Sequence, residues 1–324
     1  MTLKKTRPSA YQGRGWVPRK SSSTAERSTG LWSPMSSDSE FRPLRAVLLH
    51  RPGRELEGIR DPNRVQHLEK INRTEIAREF DRLAAAYQRL GIQVHWVDTA
   101  RFKLKRNPPF PNLMYARDSF FMTREGAMIA RMASLSRAGE EKFAARSLGQ
   151  LAVPILRTIQ GRALFEGADA LWIDSRTVLC GVGNRTNEEG FRQLRDTLAA
   201  QGIDSIRTPL PSGVQHLLGV LQIVDRRTAL FRNEIAPPAL KTKLKRLGFS
   251  LIEVPEWDEV IHRQGMNIVT VRARVVVMPA GCPRLKELYR RSGLKVAAEV
   301  KIDELIKGAG GIACATGILS RDPA

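Results

Sequence analysis

The chain of 324 residues has 53 Lys and Arg against 33 Asp and Glu, a net charge of +20. Hydrophobic residues make up 42% and charged residues 27%, which excludes a wholly disordered chain or a collagen-like fibre. No apolar run approaches the about 18 residues of a membrane helix, so we expect no membrane partner. Three scattered cysteines are too few for a disulfide scaffold or a cysteine-rich zinc site, which favours a reducing compartment and a cytoplasmic protein.

The excess of positive charge has two explanations. Residues 1–40 carry seven basic and three acidic groups, so +4 of the charge belongs to this segment and +16 to the remainder. A pI near 10.6 is typical of proteins that bind nucleic acid or anionic membranes. The chain has no block of five or six successive Lys or Arg and no aromatic RNA-binding motif, which favours a basic surface without an obligatory nucleic-acid partner.

Residues 1–40 are rich in Ser, Arg, Lys, Pro and Gly and poor in aliphatic residues. Such a segment buries too little apolar surface to offset the entropy of ordering, so we predict a disordered basic tail. No apolar region follows Lys4 and Lys5, which argues against a secretory signal. The composition would also fit an organellar transit peptide. We expect a single folded domain over residues 41–324.

The remaining chain repeats one pattern five times. An apolar strand precedes an amphipathic helix, the helix ends near a glycine, and a second strand follows. In the first copy Ile76, Phe80, Leu83 and Tyr87 recur at helical spacing, and Gly91 supplies a left-handed helix end. The equivalent glycines are Gly91, Gly149, Gly202, Gly248 and Gly293. The strands before the helices are 46–49, 127–130, 177–180, 229–231 and 275–278.

A further extended stretch lies between successive copies, around 113–121, 164–173, 216–224, 266–271 and 312–316. Units of strand, strand, helix and strand would need terminal caps in a linear solenoid, whereas a ring has no ends. A ring places one equivalent strand of each unit beside a common axis. We therefore predict an α/β fold, a five-unit α/β propeller with strands lining a central cavity and helices outside. A conventional open α/β sheet is the alternative.

Each inner stretch carries a polar or reactive residue near the same place in the repeat, with separations of 47 to 51 residues between successive units. These residues are Asp118, Glu166, Asp169, His216, Asn267 and Cys314. In a ring they reach one cavity. Cys314 lies among glycine and alanine neighbours that would leave the backbone open to a substrate, so we predict a nucleophile rather than a small buried hydrophobe. Cys180 lies in a plain apolar strand and Cys282 in a loop.

Of five histidines, only His216 falls on the repeat register, so we expect it to be the catalytic base. Glu166 and Asp169 flank Gly-Ala and would point inward together, although such carboxylates also cap turns. Asp118 is a candidate substrate ligand, or a partner of Arg117. Arg185 is a candidate clamp for a substrate carboxylate, or a surface turn residue.

The sequence around these residues resembles that of the guanidino-group-modifying enzymes of the pentein superfamily: arginine deiminases, dimethylarginine dimethylaminohydrolases and amidinotransferases. The resemblance covers residues 43 to 322. LLHRPGREL at 48–56 resembles the start of an arginine deiminase, and NLMYARD at 112–118 is similar to the family's Arg-Asp motif. FEGADAL at 165–171 and VGNRTNEEG at 182–190 resemble dimethylargininases, and CAT at 314–316 is where the family places its nucleophile.

The sequence departs from the family pattern at two positions. Ala168 stands where the family usually has a second glycine. Leu218 stands two positions after the histidine, where arginine deiminases and amidinotransferases typically have an acid. That acid would accept hydrogen bonds from the terminal guanidinium nitrogens of the substrate, whereas leucine could pack against N-methyl groups. The departure argues against plain arginine deiminase and favours a dimethylargininase-like hydrolase.

The resemblance implies covalent catalysis at the carbon of a guanidino amino acid by Cys314, His216 and Glu166, with no metal and no organic cofactor. Asp118, Asp169, Arg185 and Asn267 would bind the substrate. The leading hypothesis is hydrolysis of an N-methylated arginine to citrulline and methylamine through a thiouronium intermediate. Arginine deiminase or amidinotransferase activity and a non-catalytic, RNA-binding pentein are alternatives. A homo-oligomer is possible.

Overall fold

A computed structural model describes residues 7–99 and 110–324; the first six residues of the predicted tail lie outside these ranges. The described residues contain nine α-helices: α1 Ser23–Ser28, α2 Arg73–Arg89, α3 Glu141–Gln150, α4 Glu188–Ala199, α5 Pro238–Arg246, α6 Asp258–Ile261, α7 Pro283–Arg291, α8 Asp303–Ile306 and α9 Ile312–Ala315. They contain fifteen strands: β1 Leu44–Leu49, β2 Gln93–Trp96, β3 Phe120–Met122, β4 Ala127–Ile129, β5 Ile155–Thr158, β6 Ala170–Asp174, β7 Thr177–Val182, β8 Asp204–Pro209, β9 Leu221–Asp225, β10 Thr228–Phe231, β11 Ser250–Glu253, β12 Val269–Arg272, β13 Val275–Pro279, β14 Lys295–Val300 and β15 Gly317–Arg321.

The strands form five three-stranded sheets of one design. The middle strand of each sheet pairs antiparallel with an inner strand and parallel with an outer strand that follows a helix. The sheet orders are β15-β1-β2, β3-β4-β5, β6-β7-β8, β9-β10-β11 and β12-β13-β14. The first of these closes the ring, because Leu48 of β1 pairs with Gly317 of β15. The five-unit α/β propeller is therefore confirmed, and the open-sheet alternative is wrong.

Helix α2 shows why the repeated helices form. The side-chain oxygen of Asn72 accepts hydrogen bonds from the backbone amides of Thr74 and Glu75, which caps the helix. Its apolar face, with Ile76 and Phe80, is buried against the sheets. Even this 17-residue helix is too short and too polar to cross a membrane, and the same holds for every other helix in the described residues.

The left-handed helix end recurs in the five units, with one difference from the prediction. Gly91 has a φ of 75°, and the equivalent glycines of the third, fourth and fifth units also have positive φ angles. In the second unit Gly149 lies inside α3, and Ala152 adopts the left-handed conformation with a φ of 54°. The assignment of Gly149 to the repeat is therefore wrong by three residues: an alanine occupies the left-handed position, although its Cβ makes that conformation less favourable than it is for glycine.

The predicted disordered tail does not extend to residue 40. Residues 33–40 pack on the propeller: the backbone amide of Ser33 donates to the carbonyl of Ala152 at 2.9 Å. Glu40 is buried and accepts two hydrogen bonds from Arg117 at 3.0 and 3.1 Å. Low apolar content did not prevent order here, because backbone and ionic contacts to the folded body replace the missing hydrophobic burial.

Candidate functional site

Short turns that precede the inner strands carry the candidate residues. Asp118 lies in a 3₁₀ turn before β3, Asp169 in a turn before β6, and His216 caps a turn before β9. Asn267 precedes β12, and Cys314 lies on α9 immediately before β15. The five units thus bring these residues to one end of the ring. They lie on the turns rather than on the strands themselves.

A cavity of about 180 Å³ opens at this end of the ring. Its lining includes Cys314, His216, Asn267, Leu218 and Arg232. Its size suits a small molecule rather than a folded segment. Two other lining residues are left-handed without being glycine, Gln264 at φ 53° and Ala309 at φ 66°. Backbone strain of this kind clusters at functional sites because the surrounding structure must hold it in place.

Cys314 is partly exposed in the cavity and is held by Asn267. The Asn267 side-chain amide nitrogen donates to the Cys314 sulfur at 3.1 Å. Its carbonyl oxygen accepts from the backbone amides of Ala313 at 2.7 Å and Cys314 at 3.2 Å. Burial and the nearby Asp118 carboxylate raise the pKa of the Cys314 thiol, although the Asn267 hydrogen bond opposes them. These influences together favour the neutral thiol of Cys314, and an added positive charge beside it would favour the thiolate.

The glycines before Cys314 serve packing, not access to the backbone. A Cβ at Gly310 would lie 2.4 Å from the Tyr115 ring, and one at Gly308 would lie 2.2 Å from the Tyr115 hydroxyl. A Cβ at Gly311 would lie 2.8 Å from Asn267. The expectation that these glycines open the chain to a substrate is corrected: they let the segment wrap Tyr115 closely enough to seat the cysteine.

His216 is buried and pairs with the buried carboxylate of Glu166. The distance from His216 Nε2 to Glu166 Oε2 is 2.8 Å, and the other Glu166 oxygen accepts from the backbone amide of Ala133 at 3.0 Å. Burial by itself would lower the pKa of His216, but Asp118, Glu166 and Asp169 together raise it above its ordinary value. Burial would raise the pKa of Glu166, but His216 and Arg137 hold it well below its usual range. This arrangement favours a protonated histidine.

Asp118 pairs with Arg137, which the sequence patterns did not single out. Arg137 Nη1 donates to Asp118 Oδ2 at 2.6 Å and lies 3.6 Å from Glu166 Oε2, while its Nε donates to Glu140 at 2.9 Å. All four side chains are buried. Arg117, the alternative partner of Asp118 considered from the sequence, binds Glu40 instead. Asp118 Oδ1 has no hydrogen-bond partner among the described residues.

Asp169 lies behind His216 and holds the backbone beside it; its predicted contact with a substrate stays a prediction. Its Oδ2 accepts from the Thr186 hydroxyl at 2.7 Å and its Oδ1 from the backbone amide of Leu217 at 3.0 Å. Burial raises the pKa of Asp169 to about 6. These two hydrogen bonds fasten the turn that carries His216, and Asp169 is absent from the cavity lining.

Arg185 faces Glu166 rather than the open cavity. Its Nη1 lies 3.4 Å from both Glu166 oxygens, and it is absent from the cavity lining. In this position its charge helps to keep Glu166 ionised. The role of Arg185 as a clamp for a substrate carboxylate stays a prediction.

Asp118, Glu166 and His216 form a compact group whose potential ligand atoms all lie within 4.8 Å of one another. Such a set could attract a cation. The Arg137 guanidinium already bonds to Asp118 and faces Glu166, so it holds positive charge between these carboxylates. Carboxylate oxygens also bind planar cations such as a guanidinium through paired hydrogen bonds.

Comparison with known proteins gives a consistent picture. Residues 97–236 match the family model for arginine deiminase. The chain is 27% identical over 234 residues to the N(G),N(G)-dimethylarginine dimethylaminohydrolase of Pseudomonas aeruginosa, covering 71% of this chain and 87% of that protein.

Two solved structures share the fold. A mutant of the Pseudomonas aeruginosa dimethylarginine dimethylaminohydrolase, complexed with citrulline, superposes with a TM-score of 0.68 at 23% identity, covering 85% of this chain and 99% of that one. An amidinotransferase from Microseira wollei superposes with a TM-score of 0.71 at 15% identity, covering 90% of this chain and 98% of that one.

Proposed function

We propose, from the premise that this chain belongs to the pentein superfamily of guanidino-group-modifying enzymes, that it is a cysteine-dependent hydrolase of an N-methylated arginine. One observation carries the proposal. A partly exposed thiol and a histidine hydrogen-bonded to a buried glutamate line the same cavity. We place the activity in one catalytic domain that begins near Ser33.

Binding would begin with the guanidinium of the substrate. A guanidinium is planar and cationic, and it matches carboxylate oxygens by paired hydrogen bonds. Asp118 Oδ1 is a buried acceptor without a partner among the described residues, and the Asp118 charge acts on Cys314. A cation held there would lower the pKa of the Cys314 thiol, so binding of the substrate would favour the reactive thiolate.

The chemistry would follow in two steps. The Cys314 thiolate attacks the central guanidinium carbon, and the carbon–nitrogen bond to the methylated amine breaks as His216 gives that amine a proton. A thiouronium adduct remains on the sulfur. Water then loses a proton to His216 and attacks the same carbon, and the thiolate leaves. The products are citrulline and methylamine or dimethylamine.

Leu218 supports the methylated substrate over arginine itself. The side chain is buried and lines the cavity beside His216. An apolar side chain satisfies no guanidinium N–H, but it contacts methyl groups favourably. Arginine deimination and transfer of the amidino group to an amine are the competing reactions, and both would pass through the same adduct.

A ureido-product assay tests the proposal. Arginine, monomethylarginine and asymmetric dimethylarginine are each offered to the wild-type chain, the Cys314→Ser variant and the Cys282→Ala variant. Cys282 is buried outside the cavity lining and serves as the matched control. We expect product from the methylated substrates with wild type and Cys282→Ala, and a loss of at least about 1,000-fold with Cys314→Ser.

Two results would contradict the proposal. Product from arginine alone would identify the activity as arginine deimination and would contradict the role proposed for Leu218. No product from any of the three, together with no thiouronium adduct on Cys314 by mass spectrometry, would exclude methylarginine hydrolysis.

A further inference from the structure

The segment before β1 packs on the end of the ring that lies opposite the cavity. The backbone amide of Ser37 donates to the carbonyl of Thr123, in the turn between β3 and β4, at 3.2 Å. The backbone amide of Arg321, at the end of β15, donates to the carbonyl of Ser36 at 2.9 Å. Residues 37–40 are all buried. This segment is therefore a fixed part of the folded body, although it lies outside the five repeated units.

Glu40 reaches from this segment between the inner strands of the ring. It lines a small cavity together with Arg117, Phe120 of β3, Trp172 of β6 and Ile318 of β15. One Glu40 oxygen accepts a hydrogen bond from the backbone amide of Trp172 at 3.3 Å. Both oxygens accept from Nη2 of Arg117, at 3.0 and 3.1 Å. Glu40 and Arg117 thus form a buried ion pair inside the ring.

Arg117 and Asp118 are neighbours in the 3₁₀ turn before β3. Asp118 Oδ2 accepts a hydrogen bond from Arg137, while Oδ1 has no partner among the residues that the structure describes. The proposed function assigns this free oxygen to the guanidinium of the substrate. The guanidinium of Arg117 could satisfy the same oxygen by the same charged hydrogen bond. Arg117 is therefore a competitor of the substrate unless another group holds it.

An arginine can bind the aspartate that follows it, because its side chain is long and flexible. The chain contains such a pair on α4, where Arg195 donates from Nε and Nη2 to Asp196 Oδ1 at 3.1 and 2.9 Å. Arg117 has the same sequence relation to Asp118. It differs from Arg195 because a second carboxylate, Glu40, binds its guanidinium.

We propose that Glu40 is a positioning residue, which binds Arg117 and so keeps Asp118 free to accept a guanidinium. The proposal rests on the proposed function, because it concerns the acceptor of the same substrate. It gives a segment outside the repeated units a part in forming the active site. Glu40 itself does not contact the substrate: it is absent from the cavity that contains Cys314.

Four variants test this role. Glu40→Gln removes the charge that holds Arg117. Glu40→Gln with Arg117→Met also removes the competitor, and replacing a buried ion pair in this way often costs little stability. Asp38→Asn is the matched control, because Asp38 is a buried carboxylate of the same segment that binds Arg124 at 2.9 Å. Glu40→Asp keeps the charge on a shorter side chain, and it serves as the test if Glu40→Gln does not fold.

The first readout is the pKa of the Cys314 thiol, measured from the pH dependence of its alkylation by iodoacetamide. The Asp118 charge raises this pKa and the Arg137 charge lowers it. If Arg117 turns to Asp118, it offsets part of the aspartate charge. Alkylation of Glu40→Gln at pH 7 should then be about three- to tenfold faster. The double variant and the control should match wild type.

The second readout is calorimetric binding of monomethylarginine to the same variants in the Cys314→Ser chain. We expect about tenfold weaker binding with Glu40→Gln, because Arg117 competes for a charged hydrogen bond to Asp118. Binding should recover in the double variant, which has no competitor. Glu40→Asp should give a smaller change in both readouts. If Glu40 merely stabilised the segment, the double variant would be as impaired as Glu40→Gln.

The other results separate the two proposals. If the double variant does not recover, or if Glu40→Gln changes neither readout while wild type binds, the role of Glu40 is wrong and the guanidino activity stands. If the thiol pKa falls and recovers as expected but no chain binds monomethylarginine, the restraint of Arg117 by Glu40 stands and the proposed function falls. If no chain binds and the thiol pKa is unchanged, both fall.

Discussion

The two sides of the site differ in the number of buried charges that they contain. The buried wall consists of Asp118, Arg137, Glu140, Glu166 and Asp169, together with His216, and nearly every charge in it has a partner within the wall. The open wall consists of Leu218, Arg232, Asn267 and Cys314, which line the cavity.

This difference assigns different tasks to the two walls. Charges that are paired and buried do not reorganise when a ligand arrives, so the buried wall can hold a cation and a proton in fixed positions. The open wall presents hydrogen-bond donors and an apolar side chain to a ligand in the cavity. We infer that the buried wall determines which reaction occurs, and the open wall determines which molecule enters.

The largest expected effect is on the buried wall, in Glu166→Gln. Glu166 contributes to raising the pKa of His216, so its loss lowers that pKa and the alkaline limb of kcat/KM moves to lower pH. The rate should fall about 1,000-fold, within the range for general acid–base catalysis. The measurement is a pH profile of kcat/KM beside Glu140→Gln, which removes a carboxylate that does not contact His216. An unmoved alkaline limb would show that His216 is not the titrating group.

Arg137→Gln should lower the free energy of unfolding more than any substitution in the open wall. The change leaves the carboxylates of Asp118, Glu140 and Glu166 buried with little compensating charge. We expect a loss of about 3–5 kcal/mol in the free energy of unfolding. Guanidinium unfolding measures it, with Arg185→Gln as the smaller comparison. A loss below about 1 kcal/mol would mean that the buried wall is not held by its charges.

Asp169→Asn should change how stability depends on pH. Because the pKa of Asp169 is raised to about 6, the folded chain holds this proton where the unfolded chain has released it. Its contribution to stability is therefore lost as pH rises from about 4 through 6. Relative to the Asn variant, wild type should lose on the order of 2 kcal/mol between pH 4.5 and 8. Parallel unfolding curves would contradict this, and Asp174→Asn, at the surface, is the control.

Asn267→Asp should give the smallest effect, confined to the open wall. Aspartate keeps the oxygen that accepts from Ala313 and Cys314, but it removes the donor to the sulfur and adds negative charge. The thiol pKa rises further, so alkylation of Cys314 by iodoacetamide at pH 7 should slow about tenfold. Peptide mass spectrometry identifies the alkylated cysteine. An equal or faster rate would exclude Asn267 from control of the thiol.

The fold could be predicted from the sequence because each unit repeats a local pattern. The middle strands predicted at 177–180 and 275–278 correspond to Thr177–Val182 and Val275–Pro279. The residues brought together at one end of the ring were also found by their register in the repeat. A repeated pattern is visible in the sequence itself, so neither the fold nor this group of residues required knowledge of three-dimensional contacts.

The partners of these residues could not be predicted in the same way. Arg137 and Glu40 lie outside the repeat register, and their importance arises from which charged groups approach them in space. Arg117 lies next to Asp118, yet these adjacent side chains bind different groups. Sequence neighbours indicate contacts within a helix or a turn, but not the choice among several buried charges.

Pairing of β1 with β15 has a consequence for how the activity arises during folding. Leu48 and Gly317 are far apart along the chain, so bringing them together has a large entropic cost and is expected to occur late. Cys314 lies three residues before Gly317, and its helix is seated by the same closure. A partly folded chain with four finished units would therefore have its carboxylates in place and no positioned nucleophile. Reactivity toward guanidines would appear only with the last cooperative step.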